Sequence, residues 1–227
     1  MKKKSRMFEG LKTWNPWVGC EHHCYGDGCW ANRKIAPRMR CKQCKNFEPH
    51  AHFNRLDCIP RQPMIFVVAH GDLFGNWVPR EAILKILETC SMNERLMWFF
   101  ETKNPVRYIE FRNDFPKNTV LSATIETNRM YSEEIRGWTP IPQHRMEALL
   151  VLRRQRPELP IHVAIEPVMD FDLEVMLRWM KMLEPTKVAV GYDSLNNGLP
   201  EPTKGKTLEL IRNLEMFTDV ERKDLRD

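Results

Sequence analysis

Six short apolar runs with β-forming character are separated by stretches of helical periodicity, and this alternation confines the chain to a parallel α/β architecture. The runs lie near Leu11 to Val18, Met64 to Ala69, Leu96 to Phe100, Thr119 to Ile125, Ile161 to Ile165 and Lys187 to Val190. Helical spacing predicts helices over Pro79 to Cys90, Pro105 to Phe111, Gln143 to Arg154, Leu173 to Leu183 and Thr203 to Leu214. Pro79 suits a first helical turn, where its missing N–H costs nothing. Met176, Trp179, Met180 and Met182 fall at helical spacing and read as core.

Six βα units can close as a partial barrel or open as a doubly wound sheet, and right-handed crossovers allow both. Either way a ligand site forms at the carboxyl ends of the strands. Polar residues follow every run: Cys20 after the first, His70, Gly71 and Asp72 after the second, and Glu101, Thr102 and Lys103 after the third. Glu126, Thr127 and Asn128 follow the fourth, Glu166 the fifth, and Tyr192, Asp193 and Ser194 the sixth.

With 227 residues there is room for one sizeable core. A formal charge of +5 permits an anionic partner such as nucleic acid without demanding one. Lys2, Lys3 and Lys4 precede Glu9, Gly10 and Lys12, not an apolar stretch, so no export signal is read and a cytoplasmic protein is expected. No run approaches the roughly 20 apolar residues of a membrane span.

Six of the seven cysteines fall between Cys20 and Cys58. In a reducing compartment that crowding points to metal or thiolate chemistry and away from a disulfide framework. Cys90, the outlier, reads as a small buried residue. The segment TWNPWVGCEHHCYGDGCWA sets Cys20, Cys24 and Cys29 on a loop after the first run. Three thiolates suit an iron–sulfur cluster with one open iron, whereas structural zinc takes four protein ligands. His22 or His23 as a fourth ligand keeps zinc open.

This loop, with Cys29-Trp30-Ala31 at its end and polar strand ends beyond it, resembles the radical S-adenosylmethionine superfamily. TWNPWVGC, CWA, FEPHAHFNRLD, VVAHGDLF, ATIETN, AIEPV and VGYDS together resemble a phage and prokaryotic radical-SAM-like family of unknown function of the DUF5131 type, and more distantly spore photoproduct lyase. The resemblance runs from Thr13 to about Gly198. The superfamily's loop leaves three and then two residues between its cysteines, whereas here Tyr25 to Gly28 separate Cys24 from Cys29. Gly26 and Gly28 give that wider loop conformational freedom.

The resemblance implies one domain over 1–227, a partial (β/α)6 TIM-like barrel with 36–62 as a Cys/His-rich insertion. It implies a [4Fe-4S] cluster on Cys20, Cys24 and Cys29, S-adenosylmethionine on its open iron, and an electron donor such as flavodoxin or ferredoxin. By position, Trp30 would lie against adenine, His70, Gly71 and Asp72 near the methionine amine, and Glu126 with Asn128 at the ribose. Lys103 and Glu166 would be further ligand contacts.

Cys41 and Cys44 form a CxxC knuckle followed by His50, His52 and Cys58, a pattern for a second metal, zinc before iron. Arg33, Arg38, Arg40, Lys42 and Lys45 add positive charge that suits a phosphate-bearing substrate. Two function classes follow: a radical enzyme acting on an unknown substrate of nucleic-acid type, or a non-catalytic zinc-binding module for DNA or RNA.

Overall fold

In the computed structural model, which describes residues 11–223 and Leu225, nine strands and seven α-helical segments follow one another along the chain. The strands are β1 (Lys12–Trp14), β2 (Trp17–Val18), β3 (His50–Ala51), β4 (Met64–Val67), β5 (Met97–Thr102), β6 (Thr119–Thr124), β7 (Ile161–Ile165), β8 (Lys187–Val190) and β9 (Asp219–Arg222). The helical segments are α1 (Cys24–Asp27), α2 (Lys42–Lys45), α3 (Arg80–Ser91), α4 (Glu133–Arg136), α5 (Pro142–Gln155), α6 (Leu173–Leu183) and α7 (Lys204–Leu214). Lys2, Lys3 and Lys4 lie outside the described residues.

Seven strands pair in parallel in the order β1-β4-β5-β6-β7-β8-β9. A doubly wound sheet reverses its strand order at a switch point. No reversal occurs here, so the choice left open by the sequence resolves to a partial TIM-like barrel with β1 and β9 as its edges. Residues between β1 and β4 supply a separate antiparallel pair, β2 with β3.

Several boundaries depart from the sequence reading. The first run is two strands, because Pro16 lacks an N–H and biases Asn15 toward a turn, so β1 joins the main sheet and β2 leaves it. The seventh strand, β9, was not expected: its sequence, DVER, carries no apolar run, as befits an edge strand. Pro105–Ile109 is a 3-10 segment instead of an α-helix. Helix α7 starts one residue later than expected because Thr203 caps it, its hydroxyl accepting from the Lys206 N–H.

Ile65, Val67, Trp98, Phe100, Leu121, Val163 and Val188 point outward to the helices, where they meet Ile83 and Ile86 of α3, Leu149 of α5, Met176 and Met180 of α6 and Leu210 of α7. Cys90 is fully buried in this layer, as expected, whereas Met182 is 56% exposed and leaves the core assigned to it, because it sits on the solvent side of α6. The opposite pleat faces the barrel interior. There Phe66, Phe99 and Val120 form a small apolar floor, with Phe66 against Phe99 at 5.2 Å between ring centroids. No helix among the described residues is long and apolar enough to cross a membrane.

Candidate active site at the barrel mouth

Side chains alternate along a strand, so the interior pleat can be followed upward from that apolar floor. On β5 it runs from Phe99 to Glu101 and then to Lys103 just beyond the strand; on β6 it runs from Val120 through Ser122 and Thr124 to Glu126. On β7 it passes Ala164 and reaches Glu166; β8 ends at Gly191 and β9 at Lys223. The register pairs Glu101 with Ser122 and Thr124 with Ala164, so small residues leave the space above the floor to a ring of charges.

Glu126 lies at the centre of that ring and is 1% exposed. Its Oε2 accepts from Arg145 Nη1 at 2.7 Å, and its Oε1 accepts from the Tyr25 hydroxyl at 2.8 Å and from Lys103 Nζ. Burial would raise this carboxyl, but Arg145 and Lys103 outweigh it and hold it at about 2. Arg145 is itself fully buried; its remaining N–H groups donate to Pro140 O (2.7 Å), Thr124 O (2.9 Å) and Thr139 Oγ1 (2.5 Å). Lys223 Nζ reaches Glu166 Oε2 at 2.8 Å. Burial and the neighbouring Glu166 push Glu101 up to about 7, against the pull of Lys223.

The cysteine loop closes over this ring. Tyr25, Gly26 and Asp27 all adopt left-handed backbone, with φ of 59°, 58° and 64°. The extra length between Cys24 and Cys29 is thereby used to turn Tyr25 inward onto Glu126, with Lys103 Nζ 4.3 Å from its ring centroid. Gly28 does not need the freedom expected of it, since its φ is −72°; a Cβ there would instead lie 2.3 Å from Asn197 Oδ1. Asn197 Nδ2 donates to Gly28 O at 3.2 Å, so the segment after β8 holds the loop.

Asp72 fixes the other end. Its carboxylate contacts His22 Nε2 (2.9 Å) and accepts from Thr102 Oγ1 (2.7 Å), Phe74 N (2.9 Å) and Lys103 N (3.0 Å). Burial works against this charge, yet His22 and Thr102 hold the Asp72 pKa below its ordinary value. Gly19 and Gly71 bridge β-fashion, and a Cβ on Gly71 would meet Gly19 O at 2.4 Å. His22 is thus committed to Asp72, and its ring packs on Trp77 at 4.7 Å.

Cys20, Cys24 and Cys29 lie within electrostatic reach of one another, and burial raises Cys20 and Cys24, the latter to about 12. Among the described residues, the His, Cys, Asp and Glu donors that all converge within 4.8 Å belong to Cys41, Cys44, His50 and His52. Cys20, Cys24 and Cys29 form no such group with His22 or His23; as a donor set, three thiols would suit a cluster with one open iron.

The other expected site residues are distributed as follows. His70 is half-buried, its backbone N–H bound to Asn15 Oδ1 at 3.0 Å. Trp30 is 52% exposed at the loop's rim. Asn128 does not share the interior with Glu126: it pairs with Asp172, donating at 3.1 Å and accepting from the Asp172 N–H at 2.7 Å. The alternation that turns Glu126 inward leaves Asn128 beyond the strand end. Cys58 is exposed and stands apart from the Cys41 group. Arg33, Arg38, Arg40, Lys42 and Lys45 are all exposed.

Tyr25, Arg145 and Lys223 escaped the sequence reading. Arg145 carried a signal, since it stands four and seven residues before the buried Leu149 and Leu152 and so occupies the apolar stripe of its helix. Tyr25 and Lys223 had none.

Residues 8–146, more than half of the chain, match the family described as "Protein of unknown function (DUF5131)". The chain belongs to this family. No curated protein sequence matches it. Among solved structures, spore photoproduct lyase with bound AdoMet and dinucleoside spore photoproduct superposes with a TM-score of 0.65 at 11% identity, over 94% of this chain and 76% of that one. A variant of the same lyase gives 0.67 at 12% identity, over 98% and 78%. Streptococcus suis SuiB bound to precursor peptide SuiA gives 0.62 at 8% identity, over 94% of this chain and 49% of SuiB. This member of the family therefore shares its fold with spore photoproduct lyase and SuiB.

Proposed function

We propose that this protein is a radical S-adenosylmethionine enzyme acting on a phosphate-bearing substrate of nucleic-acid type, with Cys20, Cys24 and Cys29 as ligands of a [4Fe-4S] cluster. The observation that carries the reading is the three-thiol loop, pinned by Asp72 through His22 and by Asn197 through Gly28, closing over a ring of buried charges at the strand ends. The bound cluster and cofactor supply reductive cleavage of a sulfonium bond and, from it, a carbon radical able to take a hydrogen atom.

The chain's own residues bind, orient and exclude water. Lys103, Glu126 and Glu166 form the polar wall around the cofactor, with Trp30 at its rim and the side-chain-free backbone of Gly71 beside it. Arg145 keeps Glu126 ionised, so its carboxylate can accept from a ligand hydroxyl wherever the ligand takes the place of the Tyr25 or Lys103 contact. Asp72 acts as a positioning residue for the loop, because the protein already engages its carboxylate. The exposed Arg33, Arg38, Arg40, Lys42 and Lys45 supply positive charge that would attract phosphate. Spore photoproduct lyase, solved with a dinucleoside spore photoproduct, supports the nucleic-acid type of substrate.

The test is anaerobic reduction with S-adenosylmethionine. Release of 5′-deoxyadenosine by the wild type and its loss in Cys24→Ala are expected. A reconstituted wild type that binds the cofactor but never cleaves it would overturn the enzymatic reading.

A further inference from the structure

Ahead of the barrel, residues 41–52 form a structure of their own. The Cys41–Cys44 turn runs through α2, with Lys45 N bound to Cys41 O at 3.0 Å and Phe47 N to Cys44 O at 3.1 Å. Phe47 then takes left-handed φ of 58° and turns the chain back, so that His50 and His52 face the two sulfurs.

Four donor atoms meet there. His50 Nε2 lies 3.7 Å from Cys41 Sγ and 3.4 Å from Cys44 Sγ, and His52 Nε2 lies 3.1 Å from Cys44 Sγ. With Zn–S of about 2.3 Å and Zn–N of about 2.0 Å, a tetrahedral ion separates its S and N ligands by about 3.6 Å. The observed distances straddle that value. His50 Nδ1 donates to Glu48 O at 2.7 Å, which commits that nitrogen and leaves the Nε2 lone pair aimed at the sulfurs, the arrangement that orients metal-bound histidines. Two thiolates and two imidazoles close a tetrahedron, the chemistry of structural zinc.

The same residues grip the start of the cysteine loop. Val18 pairs with His50 across β2 and β3, and Pro16 O accepts from the His52 N–H at 2.7 Å. The Cys20 N–H donates to Phe47 O at 3.3 Å. A Cβ on Gly19 would stand 2.2 Å from Glu48 O, the carbonyl that also holds His50.

We propose that Cys41, Cys44, His50 and His52 bind one structural zinc ion, and that this ion staples the Gly19–Cys20 segment in place at the entrance to the barrel. The zinc site stands independently of the radical reading; only the consequence for a cluster ligand rests on it.

The experiment is elemental analysis of the full-length Cys20→Ala/Cys24→Ala/Cys29→Ala protein grown with both metals. About one zinc per chain and no iron is expected, with zinc retained after a further Cys58→Ser and lost after Cys44→Ser. Zinc at less than about a tenth of an equivalent, or iron in its place, would overturn the proposal. Should Cys44→Ser fail to fold, cobalt(II) titration of chelator-stripped wild type decides: d–d bands of tetrahedral geometry with thiolate charge transfer support the site, and an octahedral spectrum overturns it. The staple is read by amide exchange, where zinc removal is expected to speed exchange at Gly19 and Cys20 by about tenfold or more while β7 is unchanged. Unchanged exchange at Cys20 would overturn the staple. Wild type holding one zinc but no iron after reconstitution would sink the cluster reading and leave the zinc site standing.

Discussion

Replacing Arg145 by leucine should destabilise the protein by about 3–5 kcal/mol, the range for removing one partner of a buried ion pair. Both side chains are 1% exposed, so water cannot take the place of the guanidinium. The charge balance at Glu126 points the same way, since Arg145 and Lys103 together bring that carboxyl from an ordinary 4.5 to about 2 despite burial.

Urea unfolding at pH 7 with an unchanged m-value reads the loss directly. In the wild type Glu126 is depressed, so its stabilisation is present above the unfolded value of 4.5 and disappears as pH falls toward 2. In Arg145→Leu the ionised carboxyl loses its largest opposite charge, so the deficit should shrink as pH falls toward 4.5, where Glu126 can protonate. A second change, Glu126→Leu, should recover at least about 1 kcal/mol of the loss, because no charge is then stranded. A single variant within about 1 kcal/mol of wild type, or a double variant as unstable as the two single losses added, would refute this account of the ring.

Glu101, raised to about 7, is a group whose protonated form the fold favours, so stability should fall as pH rises from 4.5 to 7. Glu101→Gln should remove that slope, about 1–2 kcal/mol after allowance for partial exposure, in urea midpoints collected across the range. Gly19→Ala places a side chain at φ 93° against Glu48 O and should cost about 2 kcal/mol or more in thermal or urea unfolding; full stability would show that the loop can yield there. Glu126→Gln should keep full iron and weaken S-adenosylmethionine binding about tenfold by calorimetry, since a hydrogen bond to a charged group contributes about 1.5–3 kcal/mol. Unchanged affinity would remove Glu126 from the cofactor wall.

The repeating βα order was legible because each central strand is buried on both faces and reads as an apolar run, Met64–Val67 and Ile161–Ile165 alike. β9 was not, since it pairs along one edge only and its sequence is polar. Residues at strand ends were legible as a class, and Lys103, Glu126 and Glu166 do face the barrel interior. Their mutual pairing was not, because it depends on which pleat points inward, and the alternation does not carry past the strand end, where Asn128 pairs with Asp172. Tyr25 reaches the ring only through three consecutive left-handed residues, a conformation that the sequence CYGD does not announce. Arg145 stands 19 residues after Glu126 on α5, and its place in the apolar stripe of that helix does not say which carboxylate it meets.

The central claim is an open-site cluster on Cys20, Cys24 and Cys29, and the most direct test is an anaerobic iron and sulfide count joined to electron paramagnetic resonance of the reduced protein, with and without S-adenosylmethionine. The account predicts about four irons per chain beyond the zinc, lost in each single cysteine-to-alanine variant, and a spectrum that changes when the cofactor is added. Zinc alone after reconstitution, or a four-iron spectrum indifferent to the cofactor, would contradict it.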